Sequence, residues 1–89
     1  MSRAPFVEII LIHNTPACSA CRKTEQVIRD ILPCYPGKIR FKTISSDAPE
    51  ARAFGAVVTP MVVINGNVVS ACMIPTPEGL RKLIDGELS

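Results

Sequence analysis

The sequence predicts an α/β fold, a four-stranded mixed sheet with helices on both faces, in the order β-α-β-α-β-β-α. Three observations predict it: an early continuous apolar run, a following segment with helical periodicity, and a later pair of apolar runs joined by Asn65-Gly66. The first strand, helix and second strand should form a right-handed unit with parallel strands. The later hairpin adds two strands, so we expect the first strand inside the sheet and the second at an edge.

The first strand and the first helix are predicted on either side of a short loop. Residues 6–12 form a nearly continuous apolar run that is too short for a helix and typical of a strand buried on both faces. After the loop, apolar residues recur at helical spacing until Pro33 ends the helix. The helix face that we expect to be buried comprises Cys21, Thr24, Val27, Ile28, Ile31 and Leu32.

The second strand is predicted at residues 38–44, where neutral and cationic side chains alternate. We expect Ile39, Phe41 and Thr43 to face the protein, and the three cations between them to face solvent, as suits a sheet edge.

A second, short helix is predicted over residues 47–55. Asp47 is the expected N-cap, Glu50 its capping-box partner three residues later, and Gly55 the stop.

The remaining elements are a hairpin and a last helix. Residues 57–72 place two apolar strands around Asn65-Gly66, a favoured type I′ turn pair. Thr76 is the expected cap of the last helix, with Pro77 at its first position. The buried face of this helix should comprise Leu80, Leu83, Ile84 and Leu88.

Length and charge narrow the class of protein. The chain has 89 residues and a formal net charge of +2, which predicts one small domain over residues 1–89 with no nucleic-acid or membrane partner. No apolar run reaches the roughly 20 residues that a membrane span needs. We expect a cytoplasmic monomer. In that compartment the four cysteines should be reactive, metal-bound or buried rather than paired as structural disulfides.

Cys18 and Cys21 are the candidate reactive residues. Cys18 should stand where the first helix begins, with Cys21 one turn further and within disulfide reach. Closing so short a loop stabilises a fold by only about 2 kcal/mol, so the spacing favours reactivity over stapling. Free N–H groups at the helix start should lower the pKa of Cys18 and favour its nucleophilic thiolate.

The other candidate ligands and thiols do not form a second close pair. A zinc site would need more ligands, and Cys34, Cys72 and His13 are scattered along the chain. We expect Cys34 and Cys72 to be buried and to contribute only to packing. They should therefore be dispensable for chemistry at the Cys18–Cys21 pair.

Pro60 directly precedes an apolar strand, where a proline has no N–H to donate to the sheet. A cis bond from Thr59 would turn the chain there and leave the backbone of Thr59 free. An ordinary trans proline at a strand start is the alternative.

The element order, "CSAC" after the first strand, "TP" before the third and "NG" in the hairpin resemble the thioredoxin-like superfamily, in particular its small members of glutaredoxin size. The resemblance implies a thioredoxin-like fold with Cys18 as the nucleophile and Cys21 as the resolving thiol. It also implies a cis Pro60 beside the active disulfide and a backbone at Thr59 that contacts the substrate.

Several positions depart from the pattern of that superfamily. Ala17 stands where thioredoxins have tryptophan, and Ile12 falls where they have a buried acid. The glycine pair and acid that hold glutathione in glutaredoxins read here as Ser70-Ala71 and Met73-Ile74. Glutathione should therefore be a poor electron donor compared with a dedicated reductase.

The sequence thus predicts a thiol–disulfide oxidoreductase that reduces protein disulfides through a Cys18–Cys21 redox disulfide, without a bound cofactor or metal. A separate reductase should supply its electrons. Two alternatives stay open: a metal or iron–sulfur carrier that uses the same cysteines, and a non-catalytic binding module with the thioredoxin fold.

Overall fold

The computed structural model describes residues 6–14, 18–55 and 58–88. The strands are β1 (Val7–His13), β2 (Ile39–Ser45), β3 (Met61–Ile64) and β4 (Asn67–Ala71). The helices are α1 (Ser19–Ile31) and α2 (Pro77–Leu88), and two 3-10 helices cover Leu32–Cys34 and Pro49–Phe54. None of the helices in the described part of the chain combines the length and the apolar character needed to cross a membrane.

The four strands form one mixed sheet in the order β2-β1-β3-β4. Strand β1 runs parallel to β2 and antiparallel to β3, and β3 runs antiparallel to β4. The predicted fold class is confirmed, with the first strand inside the sheet and the second at an edge.

Alternate residues of β1 enter two separate cores, which is why this strand reads as a continuous apolar run. One face of the sheet packs against α1 and α2, and the other packs against the 3-10 helix Pro49–Phe54. The core on the α-helical face comprises Val7, Ile9, Leu11, Ile28, Ile31, Val62, Ile64, Leu80 and Ile84. The core on the opposite face comprises Ile10, Ile12, Ile44, Ala51, Met61 and Val63, with Phe54 packed against it.

The predicted second helix differs from the expectation. It is a 3-10 helix, Pro49–Phe54, whose N-cap is Ala48 and has no side-chain cap bond. Asp47 is therefore not the N-cap. Pro49 restricts the residue before it to extended backbone, so the helix begins one residue later than the Asp47 capping box requires. Gly55 ends the helix as predicted, with φ of 78° and ψ of −137°, a conformation that glycine adopts readily.

Strand β2 also differs from the predicted pattern, in which one side of the strand faces solvent and the other faces the protein. Ile44, on the side expected to face solvent, is buried, whereas Thr43 is exposed. Ile44 shares its side of the strand with the cations, but it is buried because it packs in the same apolar cluster as Ala51 of the 3-10 helix.

The hairpin turns at Asn65 and Gly66, which both have positive φ, 49° and 84°. That is the pattern of the predicted type I′ turn. The side chain of Asn65 accepts a hydrogen bond from the N–H of Glu8 at 2.9 Å and donates one to Glu87 at 2.7 Å. Val58 lies outside β3 and is exposed, and the predicted hairpin residue Val57 lies outside the described residues.

Helix α2 begins as predicted, because the Oγ1 of Thr76 accepts a hydrogen bond from the N–H of Gly79 at 3.1 Å. Leu80 and Ile84 are buried and Leu88 is half-buried, but Leu83 is 44% exposed. The prediction for Leu83 is wrong because this residue lies toward the edge strand β4, beyond which the described chain supplies no further cover.

Candidate active site

The two cysteines lie at the first turn of α1, which starts just after the carboxyl end of the central strand β1. Cys18 is the N-cap residue, with extended backbone, and its Sγ accepts a hydrogen bond from the N–H of Cys21 at 3.4 Å. The two sulfur atoms are 3.1 Å apart, and neither cysteine is in a disulfide. Cys18 is partly exposed and Cys21 is buried.

The surroundings of Cys18 favour its thiolate. The pKa of Cys18 is lowered first by a hydrogen bond from the Cys21 side chain and then by the backbone N–H of Cys21. Partial burial acts in the opposite direction, and the backbone at Ala20 adds a smaller favourable contribution. A sulfur at a helix N-cap takes up N–H groups that have no partner within the helix, which is the reason for the backbone contribution.

Thr59 and Pro60 lie at the same end of the sheet as the cysteine pair. Met61 pairs with Ile12, so the start of β3 stands beside the end of β1, from which the chain proceeds to Cys18. The Thr59–Pro60 peptide bond is cis, Pro60 is buried and Thr59 is half-buried.

The other two cysteines are exposed, so the prediction that they are buried filler is wrong. Cys34 follows α1, whose 13 residues separate it from Cys18 by about 20 Å along the helix axis. Cys72 follows β4 in a left-handed conformation, with φ of 59°, and its N–H donates to the carbonyl of Pro60 at 2.9 Å. Burial of either cysteine would require a neighbouring helix or strand to pack on it, and the periodicity of the sequence does not show whether one does.

Across residues 6–14, 18–55 and 58–88, no three His, Cys, Asp or Glu side chains come together in a group that could hold a metal ion. The ring of His13 bonds instead to the carbonyl of Asn14 through Nδ1, at 2.8 Å.

None of the described positions that depart from the thioredoxin-like pattern carries a charged side chain. Ile12 is fully buried in the core on the 3-10 helix face, and Met73 and Ile74 are exposed. The Ser70 hydroxyl donates to the carbonyl of Met73 at 3.4 Å. Ala17 lies outside the described residues.

An apolar groove between β4 and α2 is the feature that sequence reasoning missed. It opens beside Met73, which is 67% exposed, and beside the unexpectedly exposed Leu83. The only signal in the sequence was the uncharged segment that continues from β4, which is equally typical of a buried strand end.

A four-stranded sheet of this order, with a C-x-x-C pair at the start of the helix that follows its central parallel strand, defines a thioredoxin-like protein. The chain belongs to the thioredoxin-domain family, whose model matches residues 7–85. A search of the curated proteins found no significant match.

Two solved structures show the same fold. One is a malarial protein with a TM-score of 0.73 and 19% identity, where the match covers 94% of this chain and 99% of that one. The other is the oxidised mitochondrial thioredoxin 3 of Saccharomyces cerevisiae, with a TM-score of 0.68 and 19% identity, covering 94% of this chain and 81% of that one. At this level of identity the likeness concerns the fold.

Proposed function

We propose that the protein is a thiol–disulfide oxidoreductase that reduces disulfides in other proteins through Cys18 and Cys21. The observation that carries the proposal is the pair itself: a partly exposed Cys18 sulfur with a lowered pKa stands 3.1 Å from the buried sulfur of Cys21. An exposed, stabilised thiolate suits attack, and a second sulfur directly behind it suits release.

The proposed reaction has two exchange steps. The Cys18 thiolate attacks one sulfur of the substrate disulfide, forming a mixed disulfide and expelling the other substrate sulfur as a thiolate. Cys21 loses its proton, attacks the sulfur of Cys18 and expels the remaining substrate thiolate. Two electrons pass from the enzyme dithiol to the substrate, and the enzyme is left with a Cys18–Cys21 disulfide.

Thr59 and Pro60 are the proposed substrate-binding residues beside this pair. Thr59 is half-buried, and Val58 before it is 47% exposed. In this proposal the backbone of Thr59 pairs with an extended segment of the substrate, a recognition mode in which main-chain hydrogen bonds give affinity. In the same proposal, the apolar ring of Pro60 lies next to this stretch of backbone.

The proposal extends to the redox group, the electron donor, the oligomeric state and the location of the protein. The redox-active group is the cysteine pair itself, a separate reductase returns it to the dithiol, and the enzyme works as a cytoplasmic monomer. Ser70, Ala71, Met73 and Ile74 offer no charged group to a glutathione carboxylate, so we propose a dedicated reductase rather than glutathione as the donor.

Trapping of the mixed disulfide tests the function. Mixed with an oxidised protein substrate, a Cys21→Ser variant should accumulate a covalent adduct through Cys18 that a reductant releases. The Cys18→Ser variant is the matched control and should form none, provided that both variants also carry Cys34→Ser and Cys72→Ala, since those two cysteines are exposed. Equal adducts on both variants, or an unmodified protein that reduces no disulfide in a redox buffer, would contradict the proposal. Metal analysis of protein purified without oxygen addresses the carrier alternative, which predicts bound metal or a coloured cluster that disappears in both variants.

A further inference from the structure

The groove between β4 and α2 is an uncharged surface next to the candidate active site. Its volume is about 350 Å³, and all of the described residues that line it are uncharged. Val69 and Ala71 form the strand side, and Leu80 and Leu83 form the helix side. Met73 also lines the groove and is 67% exposed.

Two of the residues that line the groove are exposed apolar residues, Met73 at 67% and Leu83 at 44%. Val68 of β4 is exposed as well, but it pairs with Val63 of the core on the 3-10 helix face and therefore lies on the other face of the sheet. At the other edge of the sheet, β2 instead carries the exposed cations Arg40 and Lys42. A concave, mostly apolar and uncharged lining of this kind suits an apolar side chain.

The groove is connected to the start of β3 through the segment that follows β4. The N–H of Cys72 is bonded to the carbonyl of Pro60, and Met73, the next residue, lines the groove. Two strand spacings, about 10 Å, separate β1 from β4. An extended chain covers that distance in about three residues.

The edge strand favours insertion of a side chain over addition of a strand. The pairing of β4 with β3 shifts register between Val62 and Val63, so that Val69 is an extra residue on β4. Such a bulge interrupts the row of backbone groups that an added strand would need.

We propose that this groove binds an apolar side chain of the disulfide substrate, three or four residues from the cysteine that Cys18 attacks. The inference rests on the proposed function and narrows its substrate class. The preferred targets carry their disulfide in an extended segment with an uncharged, apolar residue at that spacing.

A pair of peptides tests the preference. Each peptide carries one cysteine as a mixed disulfide with thionitrobenzoate, which absorbs visible light when Cys18 attacks the peptide sulfur and expels it. The peptides differ only at the positions three and four residues to either side of the cysteine, leucine in one and glutamine in the other. We expect the second-order rate constant to be about tenfold higher for the leucine peptide, equivalent to about 1.4 kcal/mol.

Variants of α2 then assign the preference to the groove. Leu83→Gln should reduce the ratio of the two rate constants from about ten to about three or less, because the peptide side chain loses part of its apolar contact. Lys82→Gln, at an exposed neighbouring position outside the groove lining, is the matched control and should leave the ratio unchanged. Using the ratio cancels any common change in thiol reactivity.

Several results would overturn the inference. Equal rate constants for the two peptides, or a ratio that Leu83→Gln does not change, would overturn the inference. A dimer in sedimentation experiments that Leu83→Gln dissociates would assign the groove to a second copy of the chain and overturn it as well. The protein tested, and each variant of it, also carries Cys34→Ser and Cys72→Ala, so that only the Cys18–Cys21 pair can release thionitrobenzoate. If this protein releases thionitrobenzoate from neither peptide, the proposed function fails, and the inference fails with it.

Discussion

Asn65 provides a prediction whose size can be worked out from the structure. Its backbone is in the left-handed region, with φ of 49°. Its N–H donates to the carbonyl of Glu8 at 2.9 Å, and its side chain bonds to the N–H of Glu8 and to Glu87. One residue therefore connects the hairpin turn to β1 and α2, at the end of the sheet opposite the cysteine pair.

Asn65→Gly and Asn65→Ala separate the two contributions of this residue. Both variants lose the two side-chain hydrogen bonds, each worth about 0.5–1.5 kcal/mol, with the exposed one to Glu87 at the low end. Only alanine also carries the cost of a left-handed conformation, about 1–2 kcal/mol. Glycine loses about 0.4–1 kcal/mol through the greater freedom of its unfolded chain. We expect losses of about 2 kcal/mol for Asn65→Gly and about 3 kcal/mol for Asn65→Ala.

Denaturant unfolding of the reduced protein measures both losses, and thermal melting should show the alanine variant roughly 4–8 °C below the glycine variant. Asn67→Ala, at an exposed position on the adjacent strand, is the control and should change stability by less than about 0.5 kcal/mol. The alkylation rate of Cys18 in native buffer should be the same in all four proteins. Equal stability of the alanine and glycine variants would refute the role of the left-handed backbone, and a change in the Cys18 rate would refute the separation of the turn from the site.

Four further outcomes are expected. Because hydrogen bonds from Cys21 lower the pKa of Cys18, alkylation of Cys18 should reach half its maximal rate below the usual pH of about 8.5. Cys21→Ala should move this midpoint to higher pH, and an unchanged midpoint would contradict the assigned cause. A folded pKa below the unfolded one adds stability that is fully present above the unfolded pKa and is lost as pH falls through the folded pKa. Denaturant unfolding of the reduced protein should therefore show stability rising toward pH of about 8.5 more than in Cys18→Ser, and parallel curves would count against this. Thr76→Ala removes the cap of α2 and should lower the free energy of unfolding by about 1 kcal/mol, whereas Thr76→Ser should retain most of it. A double Cys34→Ser, Cys72→Ala variant should still reduce a model disulfide, and loss of activity in a folded double variant would show that one of these thiols takes part.

Local patterns were sufficient for most of the fold. A continuous apolar run identified β1, alternation identified β2, and helical spacing identified both α-helices. Two apolar runs around Asn65-Gly66 identified β3, β4 and the turn that joins them. The C-x-x-C pair and the helix start that follows it placed Cys18 as a cap with Cys21 one turn inward. These features depend on residues close together in the chain, so the sequence alone was able to specify them.

Only the tertiary structure decided which surfaces are covered. Ile44 is buried because Ala51 and Phe54 from a later segment pack on that face, whereas Leu83 stays exposed beside the sheet edge. Cys34 and Cys72 were expected to be buried and are exposed for the same kind of reason. Periodicity states which residues share a side of a helix or strand. Whether that side meets a neighbour depends on segments distant in sequence, on how far each element extends, and on where the sheet ends.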